Sequence, residues 1–104
     1  MIQVSVHRNS LGQIYGFTAY NHSEGIICAA VSALILNTVN SIEAFTDEAM
    51  SVETNIDEEG YIKLQMPDIE AGKDNREVDL LLSSMLLGLD GIRSQYPNQI
   101  SIDK

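Results

Sequence analysis

One cysteine, no tryptophan, two prolines and six basic side chains are what this chain of 104 residues has little of. A single cysteine excludes an internal disulfide, and no cysteine–histidine spacing suggests zinc. There is no glycine-rich phosphate loop and no metal cluster, so no cofactor is expected. Six Lys and Arg stand against fifteen Asp and Glu, for a net charge of −9. That balance leaves no material for a basic face, so a nucleic-acid partner is not expected. An acid surplus suits a basic partner instead, because opposite fields speed encounter. No basic segment precedes the opening strand pattern, so no signal peptide is expected. The best apolar run is interrupted by Asn37 and Asn40, and no run is expected to be long enough to cross a bilayer. These points lead to the expectation of a cytoplasmic protein with no membrane partner.

What is present reads as one domain over residues 1–104. The apolar fraction of 44% is ordinary for a globular core, and the length suffices without staples. Ile2, Val4 and Val6 alternate, which predicts a strand over 2–8. Ser10-Leu11-Gly12 marks a turn, and a second strand over 13–20 completes a hairpin. A polar loop, 21–25, leads into a helix from about Ile26 to Phe45. That helix is apolar nearly all round as far as Asn37, which predicts burial on more than one side. Val52, Thr54 and Ile56 alternate, Asp57 to Gly60 turns, and Ile62, Leu64 and Met66 return as a second hairpin. Pro67 to Asn75 reads as a polar connection.

A second helix, about Asp74 to Tyr96, carries the stripe Val78, Leu82, Met85, Leu89 and Ile92, and Pro97 stops it. Ile100 and Ile102 suit a short last strand. The expected fold class is α/β (α+β), a single sheet of about five strands with two long helices in the order ββαββαβ. Leu80-Leu81-Leu82 and Met85-Leu86-Leu87 put apolar side chains on more than one face of the second helix. Apolar surface of that kind usually marks an interface, so a homodimer is expected.

Cys28 is the residue with chemistry to offer. It follows Glu24-Gly25-Ile26-Ile27, a glycine turn into the first helix. That spacing places a thiol at the helix N-terminus, where the macrodipole and unbonded N–H groups favour an anion. The thiolate is the reactive form of cysteine. The same residue among alanines and valines also reads as a small buried hydrophobe. A cysteine peptidase needs a thiolate, a base, and donors for the developing oxyanion. The N–H groups of Cys28 and Ala29 are candidates for the last role. His22, six residues before Cys28, is the nearer candidate base, and His7 the more remote one. Ser32 lies one turn along on the Cys28 face; it either bonds near the site or bonds its own backbone.

Several stretches resemble the ribosomal-processing cysteine protease (Prp) family of bacteria. They are Met1-Ile2-Gln3-Val4, the run Cys28-Ala29-Ala30-Val31-Ser32-Ala33, Asn40-Ser41-Ile42-Glu43, Gly60-Tyr61, and Gln95-Tyr96-Pro97. The resemblance implies a peptidase that uses a cysteine and a histidine to remove a short N-terminal extension from large-subunit ribosomal protein twenty-seven. It implies a basic ribosomal-protein peptide as partner, with bulky apolar residues before the cut, and an Asn21–Gly25 loop that orders around it. It also carries over Ser32 as a secondary site residue. The family's histidine lies in a Gly-His-Ala stretch upstream of the cysteine, and this chain reads Gly16-Phe17-Thr18 where that stretch is expected. Gly16 and Phe17 are therefore secondary site positions, and His22 is the base if the role has shifted along the chain. Three readings follow: a peptidase with Cys28 and His22; a relative without its base that only binds ribosomal-protein tails; and an interaction protein whose cysteine is core filler.

Overall fold

The computed structural model describes residues 1–21, 25–54 and 60–104. The elements are β1 (Ile2–Arg8), β2 (Ile14–Tyr20), α1 (Ile26–Phe45), β3 (Ser51–Thr54), β4 (Ile62–Gln65), α2 (Pro67–Glu70), α3 (Arg76–Gln95) and β5 (Ile100–Asp103). The strands form one sheet in the order β3-β4-β2-β1-β5. β1 pairs antiparallel with β2, β2 with β4 and β4 with β3, whereas β5 runs parallel to β1. The expected sheet and its two long helices are present. Ile56 and the turn at Asp57–Glu59 lie outside the described residues.

Alternation sets which strand residues face the helices. Val4 stands opposite Ala19 and Ile102, and Phe17 opposite Val6 and Leu64. Val4, Phe17, Ala19 and Leu64 are all buried. From the helical layer come Val31, Ile35 and Ile42 of α1 and Val78, Leu82 and Leu89 of α3. The helices meet closely where Leu34 lies over Gly88; a Cβ on that glycine would sit 3.0 Å from the leucine's Cδ1. The other face of the sheet is polar. There Tyr20 donates to Gln3. His7 Nε2 lies 2.7 Å from Thr18 Oγ1, and its ring stacks on Tyr15.

Four local expectations change. Pro67–Glu70 is a short helix rather than an irregular connection, because proline is pre-set for a first helical position. α3 starts at Arg76, not at Asp74, because the Asn75 side chain accepts the Val78 N–H and fixes the boundary. α1 is buried on one side only: Ile26, Leu36 and Phe45 remain exposed. Finally, α1 is long and apolar enough to cross a membrane by length and composition, since Asn37 and Asn40 do not break its helical run. Its inner face instead packs under the sheet.

Candidate functional site

One end of the sheet gathers the start of β1, the end of β2, the start of β5 and the first turn of α1. A cavity of about 480 Å³ opens there, lined by Met1, Ile2, Asn21, Gly25, Ile26, Ile27, Cys28, Asn98 and Gln99. Each wall has a local cause. Gly25, at φ 124°, ψ 170°, adopts a conformation that side chains disfavour, and it lets the chain enter α1 abruptly. β2 ends at Tyr20, and Asn21 turns the chain with φ 64°, which asparagine tolerates better than most residues. The 98–99 wall is pinned by Gln99, whose N–H donates to the Tyr96 carbonyl and whose carbonyl accepts from the Ile2 N–H.

Cys28 is half-buried in this cavity and packs against the core. Among the described residues no side chain caps the end of α1 around it, and no acidic residue occupies its first turn. The amides of Ile26 and Ile27 have no acceptor within the helix, and the helix dipole adds to their positive potential. The Ala29 N–H donates to the carbonyl of the N-cap residue Gly25 at 3.0 Å, so this amide, expected from the sequence as an oxyanion donor, is already engaged within the helix.

The remaining predicted residues divide clearly. His22 lies outside the described residues, as do Ser23 and Glu24; Asn21, immediately before it, lines the Cys28 cavity. Gly16 and Phe17 are not among the lining residues. Phe17 is wholly buried in the middle of β2. Gly16 is a packing requirement, since a Cβ there would lie 2.0 Å from the Leu64 carbonyl oxygen. Ser32 lines a separate, apolar cavity of about 180 Å³ with Ile35, Leu36, Thr54, Gly60, Tyr61 and Ile62. His7 is on the polar sheet face, held by Thr18 and Tyr15. Burial is the largest cause pushing its pKa below the ordinary 6.5; nearby Lys63 adds to this and Glu70 opposes it. Sequence reasoning missed Asn98 and Gln99, which arrive from the far end of the chain, and only the parallel pairing of β5 with β1 brings them in.

The family model for the cysteine protease Prp matches residues 1–101. The chain belongs to the Prp family. It is 27% identical to the Ribosomal processing cysteine protease Prp of Staphylococcus aureus strain Mu50, over 99% of this chain and 98% of that one. A crystal structure of the S. aureus Prp in complex with a covalently linked product peptide is similar throughout. Its TM-score is 0.87 at 27% identity, covering 99% of this chain and 98% of that chain. A crystal structure of a Streptococcus mutans protein has a TM-score of 0.83 at 26% identity, covering 99% and 92%. The Prp fold is thus the five-stranded sheet with two long helices described above.

Proposed function

We propose that this chain is a cysteine endopeptidase that removes the N-terminal extension of a bacterial large-subunit ribosomal protein. In this reading Cys28 is the nucleophile and His22 the base, and the protein works in the cytoplasm as a homodimer. The observation that carries the reading is the cavity shared by Cys28, in the first turn of α1, and Asn21, the residue before His22. His22 takes the thiol proton, and the sulfur attacks the scissile carbonyl. The first-turn amides of α1 face the charge that develops on its oxygen. The imidazolium then protonates the departing amine, leaving a thioester. The amine that departs is the shortened protein; water, deprotonated by the same histidine, then releases the excised N-terminal extension as its carboxylic acid and restores the thiol. The covalently linked product peptide on the S. aureus relative supports a covalent route. The surplus of carboxylates, net −9, favours encounter with a basic N-terminal peptide.

The base assignment draws on backbone geometry. Asn21 holds a positive φ, the conformation glycine adopts most readily. Asn21 can therefore stand where the family has glycine, lining the cavity, and His22 follows it directly in the sequence. Phe17, four residues before Asn21, is an interior core position. The test is mass spectrometry of a peptide copying the extended N-terminus of the host's large-subunit ribosomal protein. It is incubated with the native chain, Cys28→Ala and His22→Ala. One cut, lost in both variants, is the expected result. A cut surviving in His22→Ala would place the base elsewhere. No cut by the folded native chain would leave a protein that only binds its peptide.

A further inference from the structure

The 98–99 wall of the Cys28 cavity is a turn whose backbone is tied down. Pro97 takes the second position of the four-residue turn Tyr96–Gln99, where its fixed φ suits the bend. The Gln99 N–H closes the turn onto the Tyr96 carbonyl at 3.0 Å, and the Gln99 carbonyl accepts from the Ile2 N–H at 3.0 Å. The Tyr96 N–H in turn donates to the Ile92 carbonyl of α3 at 2.8 Å. The backbone of Gln99 is thus fully committed. The carboxamides of Asn98 and Gln99 are not. Both residues line the cavity, both are exposed, and among the described residues neither side chain has a hydrogen-bond partner. Groups mounted on a pinned turn lose less freedom when a ligand engages them.

Chemistry selects the ligand. The cavity offers the carboxamides of Asn21, Asn98 and Gln99 and the apolar side chains of Ile2, Ile26 and Ile27. Among its described lining residues there is no charged side chain, although the chain carries fifteen Asp and Glu. A charged group entering here would leave water without a counter-charge. A peptide backbone is the better complement. It is uncharged, and its N–H and C=O groups need partners once water leaves. It also brings apolar side chains with it. A carboxamide carries donors and an acceptor in one group, so it answers either backbone group. Position matters as much. A sulfur attacks a carbonyl only when that carbonyl is held on its line of approach. A peptide at Cys28 therefore needs a second support, away from α1, and the pinned turn supplies one.

We infer that Asn98 and Gln99 are substrate-binding residues, whose carboxamides hydrogen-bond the peptide backbone beside the scissile bond and hold it against Cys28. The inference rests on the peptidase reading for its ligand, but its first test does not require a cut. The probe is a fluorescein-labelled peptide copying the extended N-terminus of the ribosomal protein, with affinity for the Cys28→Ala chain read by anisotropy. Adding Asn98→Ala or Gln99→Ala should weaken binding about three- to tenfold. Asn98→Gln, which keeps a carboxamide, should bind more tightly than Asn98→Ala. The control Gln95→Ala, exposed on α3 and outside the cavity, should change nothing. With the thiol restored, circular dichroism and the alkylation rate of Cys28 should match the native chain in both alanine variants, which separates a lost peptide contact from a lost fold. In the cutting chain the same two substitutions should raise KM more than they lower kcat. Binding that depends on these residues without any cut by the native chain would remove the peptidase reading and leave this assignment standing. A Cys28→Ala chain that does not bind the peptide, or binding untouched by both alanines, would overturn the assignment.

Discussion

α1 and α3 are both helices of twenty residues, packed side by side under one sheet, and they begin in opposite ways. α3 opens with a side-chain cap from Asn75, carries Glu77 and Asp79 in its first turn, and has Arg93 in its last. Every device that neutralises helix ends is present. Its cap is itself anchored: Asn75 Nδ2 donates to the buried Glu48 Oε1 at 2.9 Å, and Lys73 pairs with the same oxygen at 3.1 Å. Among the described residues α1 opens on Gly25 with no side-chain cap and no first-turn acid, and it places the chain's one cysteine there. One helix end has been completed for stability. The other, among the described residues, carries no such device, and in the proposed mechanism its positive potential would serve an anionic sulfur and a developing oxyanion. The difference teaches that an unfinished helix end is informative when a finished one stands beside it.

Breaking the finished end should have the largest effect on stability. Asn75→Ala removes the cap and one of the partners of a carboxylate whose side chain is fully buried. The expected loss is about 2 kcal/mol, read as a lower urea midpoint at unchanged slope, with peptide cleavage by the folded fraction unaffected. Giving α1 what α3 already has should act with opposite signs on stability and chemistry. Ile26→Glu, at a position 86% exposed, adds first-turn negative charge. It should stabilise the helix by about 0.3–1 kcal/mol while slowing alkylation of Cys28 and peptide cleavage about tenfold through repulsion of the thiolate. A variant with faster alkylation would contradict the role given to the bare turn.

The smallest expected effect lies away from both helix ends and sharpens the comparison as a control. His7 has its folded pKa lowered, chiefly by burial, so the unfolded chain binds its proton more readily. Stability should therefore fall as the pH drops below about 6.5 and flatten beneath the folded value. His7→Gln should remove that increment from the urea midpoint measured against pH. Alkylation of Cys28 should be untouched.

Much of the fold was legible because period and burial agree. The alternation of Ile2, Val4 and Val6 and the stripe through Val78, Leu82, Met85 and Leu89 survive intact in the structure. α1 was bounded correctly at Ile26 and Phe45 because Gly25 and Thr46 punctuate it. Its one-sided burial was not legible, since a run of alanines and leucines does not say which of its faces meets the core. The place of Cys28 at the start of α1 was legible, because Gly25 marks where the helix begins. Gly16 and Phe17, matched to a short motif by sequence spacing, do not line its cavity. The structure shows a packed strand interior at those positions instead. Asn98 and Gln99 left no signal, because their proximity to Cys28 depends on a strand pairing across nearly the whole chain.

That last pairing orders events in time as well as in space. The helix bearing the thiol needs only the first half of the sequence, whereas the wall opposite it comes from residues 98–99, held by the Ile2–Gln99 hydrogen bond. During synthesis the thiol is made early and its enclosure almost last. A fragment ending before Asn98 keeps Cys28 and lacks that wall, so the cavity is complete only once Asn98 and Gln99 are in place.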